Sequence, residues 1–316
     1  MPDSQTRSAA FVRGFFTFLE SQKVRSAVLH GGEDGFEREL SDVDFAVDAE
    51  TFANLPKLIW DHCGASGWLL CQILRHETTA AYFVCTDANN PACSIALDAC
   101  SDYQRNGTTF IRSEDLLENR RLLPWGGYGL PAAMELRYRF AKAAAKHKDS
   151  GAAALEFQAY PEEARLDCEA WLAERWGIPP TSWGAADLAT AFATIRDKSN
   201  PRPSLTQPGA ASRIISRILH PTGLVVIASH GDYDACSDSL ERAFGHLHFR
   251  RFRKAANWQP GMLRDLISST LIVVPEMNPI WRRILPVDCV HVADPVSPDN
   301  ELAVWLHERC KRRDSI

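Results

Sequence analysis

Apolar residues in the stretch 9–23, AAFVRGFFTFLESQK, recur at helical spacing through Phe11, Phe15, Phe16 and Leu19, which predicts a helix whose aromatic stripe faces a core. The period then changes. Residues 26–30 are a short apolar run that predicts a strand, and Gly31-Gly32 predicts a turn after it. In DVDFAV, 42–47, polar and apolar positions alternate, so Asp42 and Asp44 point to one side of a strand and Val43, Phe45 and Val47 to the other. A helix near 52–62 precedes two strand-like runs, WLLCQIL and TTAAYFVCT, and the polar stretch 87–91 predicts a turn into a third. That third strand, within SIALDACSDY at 94–103, places Ile95 and Leu97 on one face and Ser94, Ala96 and Asp98 on the other. The order predicts an α/β fold with a mixed sheet and helices on one side of it.

Beyond Leu122 the pattern turns helical. PAAMELRYRFAKAAAKHKDSG, 131–151, is rich in helix formers and predicts one helix ending near Gly151, with Lys142 and Lys146 four apart on one face. Helices are predicted on through 158–200, and SNPRPSLTQPGA, 199–210, reads as a linker. A second α/β segment starts near Leu219, where strands such as LISSTLIVVPEMN and PVDCVHVAD alternate with helices such as DNELAVWLHERCKRR, predicting a small parallel sheet. The chain thus divides into 1–122, a helical region with linker at 123–205, and 206–316.

Composition narrows the partners. The 316 residues carry a formal charge of −5, which argues against a dedicated nucleic-acid surface. No apolar run approaches the ~20 residues that span a bilayer, so no membrane partner is expected. The nine cysteines include no CxxC pair and no zinc-spaced Cys/His cluster. An odd number of cysteines without a secretory leader predicts reduced thiols in a cytoplasmic protein, most of them small core residues.

The candidate chemistry lies in the first third. Asp42 and Asp44, about 7 Å apart along a strand, repel each other, and a hard divalent cation with oxygen ligands is the usual compensation. Magnesium and a phosphate-bearing substrate follow as expectations. Gly31 and Gly32 let backbone approach a phosphate without an intervening Cβ, and Ser41 offers a hydroxyl donor. Asp98, flanked by small residues, completes a set of three acids that can hold two magnesium ions, with Asp98 also able to take a proton from an attacking hydroxyl.

LHGG at 29–32, SDVD at 41–44 and LDACSDY at 97–103 together resemble the nucleotidyltransferase superfamily that includes DNA polymerase beta and the aminoglycoside and antitoxin nucleotidyltransferases. The usual Gly-Ser is Gly31-Gly32 here. The resemblance implies transfer of a nucleoside monophosphate from a triphosphate such as ATP to a hydroxyl-bearing acceptor, a small molecule or sugar. It also implies a basic residue reaching the nucleotide from the helical region, for which Lys142 is the candidate. Two other readings stay open: an inactive scaffold, and transfer to a protein or tRNA. HPTGLVVIASHGDYDACSDSLERAF, 220–244, resembles a worn thymidylate-kinase-like P-loop segment, as in bacterial surface-polysaccharide proteins that join the two halves. With Gly231 as the first glycine of GxxxxGK[ST], the second glycine falls on Cys236 and the lysine on Ser237, while Asp232, Asp234 and Asp238 repel phosphate. Kinase activity is therefore not expected. The patch HLHFRRFRK, 246–254, reads as a solvated strand edge or a remnant phosphate site.

Overall fold

A computed structural model of the chain describes residues 4–37, 42–105, 107–179, 182–199, 222–228, 233–244, 248–293 and 297–314. The aromatic stripe folds as predicted: helix α1 (Ser4–Ser21) buries Phe11, Phe15, Phe16 and Leu19. Strands β1 (Ser26–Val28) and β2 (Asp42–Val47) pair antiparallel. Helix α2 (Ala49–Ser66) starts where the Asp48 side chain accepts the Thr51 amide at 2.7 Å, and ends at Gly67 in the left-handed region, φ 74°.

Strands β3 (Trp68–Glu77), β4 (Ala80–Asp87) and β5 (Asn90–Cys100) form an antiparallel meander, and β5 returns parallel to β2. A hairpin, β6 (Tyr103–Arg105) and β7 (Thr108–Ile111), and a short helix, α3 (Ser113–Glu118), lead to β8 (Arg121–Leu122) and β9 (Tyr128–Gly129). The large sheet is ordered β3-β4-β5-β2-β1-β9-β8, a mixed sheet as expected.

Helices α4 (Ala132–Ala145), α5 (Ser150–Gln158), α6 (Glu162–Trp176) and α7 (Ala185–Ser199) form the helical region. The single helix expected over 131–151 is two. His147 takes a left-handed φ of 54°, and the Asp149 side chain caps α5 by accepting the Ala152 amide, so the break falls at 146–149 and Gly151 sits inside the next helix.

Helices cover both faces of the large sheet, not one. Val43, Phe45, Val47, Ile95 and Leu97 pack with α1 and α2 on the first face. On the second, Ala46, Ala80 and Cys100 share a core with Leu136, Tyr138 and Phe140 of α4. The sheet needs both covers because its central strands are apolar on both sides except at the acids.

The C-terminal segment forms a parallel sheet ordered β11-β12-β10-β13, from β10 (Leu224–Ala228), β11 (Arg251–Lys254), β12 (Thr270–Val274) and β13 (Val290–Ala293). Its helices are α8 (Tyr233–Phe244), α9 (Leu263–Ile267), α10 (Pro279–Ile284) and α11 (Pro298–Asp314). β11 is the edge strand and is mostly exposed, so its basic residues line a solvated edge. The linker beyond Ser199, and Gly231 and Asp232, lie outside the described residues.

This unit docks on the large sheet through β3 and β4. Cys71 joins the core of Leu302, Ala303 and Leu306. The Gln72 amide donates to the carbonyls of Thr222 and His248 at 3.1 and 3.2 Å, and Thr86 Oγ1 lies 2.7 Å from His248 Nε2. Trp60 and His307 stack 3.6 Å apart. No disulfide joins any of the nine cysteines, all of which lie among the described residues; eight are buried, as small core residues would be. Among the described residues no helix is long and apolar enough to cross a membrane.

Candidate active site

The parallel register of β2 with β5 sets Asp44 directly beside Asp98, and Asp42 beside Ala96. Strand alternation turns all three carboxylates to the second face of the sheet, where α4 crosses over them. Asp42 stands exposed at the start of β2, whereas Asp44 is buried.

Three side chains make four polar contacts with the Asp44 carboxylate. Lys142 Nζ lies 2.8 Å from Oδ1 and 2.7 Å from Oδ2, the Tyr138 hydroxyl donates to Oδ1 at 3.0 Å, and His30 Nε2 is 2.9 Å from Oδ2. Tyr138 and Lys142 are four apart on α4, so one helix face delivers both. Burial alone would push Asp44 toward its neutral form, but the His30 hydrogen bond and the Lys142 ammonium outweigh it and hold the carboxyl well below the usual range. Burial and the Asp44 charge keep the Tyr138 phenol neutral and a donor.

Asp98 has the opposite fate. Burial, then the neighbouring Asp44 charge, pushes it up to about 7. His76 Nε2 lies 3.7 Å from its Oδ1, and burial lowers the His76 pKa, favouring the neutral imidazole. Two carboxyls side by side with divergent ionisation are the pattern of acid–base work.

A small cleft of about 50 Å³ opens beside the pair, lined by Asp44, Asp98, His76, Arg105, Lys142 and Lys146. A second and larger one, of about 350 Å³, adjoins it on the His30 side and shares Lys142 and Lys146. Arg139 and Lys148 in the second are both paired with Glu156.

Of the residues singled out in the sequence, Asp44, Asp98 and Lys142 come together, with Asp42 on the same face. Gly31 follows His30 with φ +71° and open space where a Cβ would project. Gly32 instead packs inward, since a Cβ there would meet Val28 and Leu123 at 3.1 and 3.2 Å. Ser41 lies outside the described residues. His30, Tyr138, His76 and Arg105 were not singled out. The signals were present for two of them: His30 adjoins the glycine turn, and Tyr138 shares a helix face with Lys142.

The carboxylate set suits a hard cation in donor chemistry, and the Lys142 ammonium already stands against both Asp44 oxygens as a positive stand-in. The site is not preassembled, because among the described residues no group of three such side chains closes around a metal position. An ion must displace Lys142 from Asp44. Lys142→Met is therefore expected to bind magnesium about ten-fold more tightly than the parent chain in calorimetry without nucleotide, since no ammonium competes for the carboxylate. Equal affinities would place the magnesium elsewhere.

Comparison of the chain with protein-family models, curated proteins and solved structures returns no match.

Proposed function

We propose that the large sheet and its helices form a magnesium-dependent nucleotidyltransferase, moving a nucleoside monophosphate from a triphosphate to a hydroxyl-bearing acceptor. The observation that supports this best is the side-by-side placement of Asp44 and Asp98 on parallel strands, one turn away from Gly31 and under Lys142. The triphosphate lies on the His30 and Gly31 side, where backbone at Gly31 is reachable, and Lys142 moves from Asp44 to phosphate oxygens. Magnesium held by Asp42, Asp44 and Asp98 would supply charge neutralisation at the α-phosphate. Asp98, in its ionised form, accepts the proton of the attacking hydroxyl. Tyr138 and His30 fix the Asp44 carboxylate through their hydrogen bonds, so that its orientation does not depend on Lys142.

The C-terminal unit reads as a degenerate P-loop fold without chemistry of its own. Ser237, at the lysine position, is fully buried within α8, and Asp238 is paired with Lys254. Neither is placed to receive a phosphate.

The test is incubation of the protein and cell extract with each of the four nucleoside triphosphates labelled at the α-phosphate. Magnesium-dependent label on an acceptor, lost in Asp42→Asn/Asp44→Asn, is the expected result. Nucleotide binding without any transfer would make the protein an inactive scaffold, and label on protein or tRNA would redirect the acceptor assignment.

A further inference from the structure

We infer that the cleft beside Asp98 receives an acceptor that carries its own anionic group, a phosphate monoester next to the reacting hydroxyl, held by Arg105 and Lys146. This rests on the reading of the site as a nucleotidyltransferase and names the class of its second substrate.

The argument starts from charge. Lys142, Lys146 and Arg105 line this cleft, against the two carboxylates Asp44 and Asp98. One of those cations is already spent, because Lys142 is locked on Asp44. Arg105 and Lys146 form no ion pair among the described residues, so two cations face Asp98, the one carboxylate lining the cleft that Lys142 does not neutralise. Two cations without an ion-pair partner, one of them exposed and one half-buried, create a local potential that favours an anion.

Position decides whose anion it is. In the strand order β3-β4-β5-β2-β1, His30 and the glycine turn follow β1, while Asp98 and His76 come from β5 and β3 on the other side of Asp44. If the triphosphate takes the His30 side, the Asp98 side belongs to the acceptor. Arg105, two residues past the start of β6, lines the Asp98 side alone, and Lys146, just past α4, stands between the two clefts and lines both. A guanidinium and an ammonium approaching from two directions suit a phosphate monoester, whose oxygens accept several charge-assisted hydrogen bonds. In the transfer step the acceptor hydroxyl oxygen bonds to the α-phosphorus, the bond from that phosphorus to the β-phosphate oxygen breaks, pyrophosphate leaves, and the hydroxyl proton passes to the Asp98 carboxylate. The phosphate of the acceptor is unchanged and acts as its handle.

The test uses the full chain and calorimetry, with magnesium and an α,β-methylene nucleoside triphosphate that binds without reacting. Glycerol 3-phosphate is the probe and glycerol its uncharged control. Glycerol 3-phosphate is expected to bind with the analogue in place, glycerol is not, and Arg105→Gln is expected to weaken the probe by about ten-fold or more while leaving analogue affinity within about two-fold, since Arg105 lines only this cleft. Arg105→Lys, which keeps the charge, is expected to restore binding. Competition between probe and analogue would assign the cleft to the triphosphate and overturn the inference. Probe binding that is absent, or untouched by Arg105→Gln, would overturn it as well. Charge-dependent probe binding by a protein that ignores the analogue would keep the anion site and remove the nucleotidyltransferase reading instead.

Discussion

Asp44→Asn is expected to cost both transfer and stability, whereas Asp42→Asn is expected to cost transfer alone. The two aspartates are equivalent in the motif but not in the fold. Asp44 is 7% exposed and its carboxylate is the counter-charge for Lys142, whose side chain is 20% exposed. Removing one partner of such a pair leaves the other desolvated without compensation, a loss of about 3–5 kcal/mol when both are fully buried. Because Lys142 keeps some contact with water, about 2–4 kcal/mol is the expected loss here. Asp42 stands exposed at the strand start, and a change there is expected to stay within about 0.5 kcal/mol. Urea unfolding of the two variants reads this difference directly. Under the proposed function both carboxylates hold the magnesium, and transfer should fall by about a thousand-fold or more in each variant. Equal stability of the two variants would mean that Lys142 does not depend on Asp44 in solution.

How much of this was legible depends on the range of the interaction that fixes each residue. Asp42, Asp44 and Asp98 were readable because strand alternation is local and the apolar positions around them, Val43, Phe45, Ile95 and Leu97, set the face. The register that seats Asp44 against Asp98 was not, since parallel pairing joins strands separated by α2 and the whole β3–β4 hairpin. Lys142 and Lys146 could be placed on one helix face but not aimed. Their aim is set by Leu136, Phe140 and Ala144, which anchor α4 over the sheet. His30 was read as the end of an apolar strand; its role as a carboxylate partner arises only when α4 closes over it. The docking of the C-terminal unit had no local signal at all. Gln72 is a lone polar residue in an apolar run and His248 one residue of a basic patch, and their buried polar atoms find partners only across the docking surface, at Thr222, Thr86 and each other. The covering of both faces of the sheet follows from the same source, because a strand pattern tells which residues are buried and not which element buries them.

Asp98 supplies the second large effect, through pH. A carboxyl raised to about 7 in the fold, from an ordinary 3.8, binds more protons folded than unfolded across that window. The stability linked to its proton is therefore fully present below pH 3.8 and is lost as pH rises through about 7. Asp44 runs the other way: held low by His30 and Lys142, its contribution is present above its ordinary value of 3.8 and is lost only as pH falls below it. Between pH 5 and 8 the Asp98 effect stands alone of the two. Asp98→Asn, which keeps the shape and removes the titration, should gain stability over the parent chain as pH rises from 5 to 8, by a difference on the order of 1–3 kcal/mol. Thermal unfolding of both proteins at the two pH values measures it. Activity should move in the opposite sense, rising through pH 7 as Asp98 loses the proton that blocks it as a base, and Asp98→Asn should remove that rise together with most of the rate. A stability difference that does not change with pH would show that Asp98 is ionised throughout, with its charge neutralised by a cation rather than by a proton.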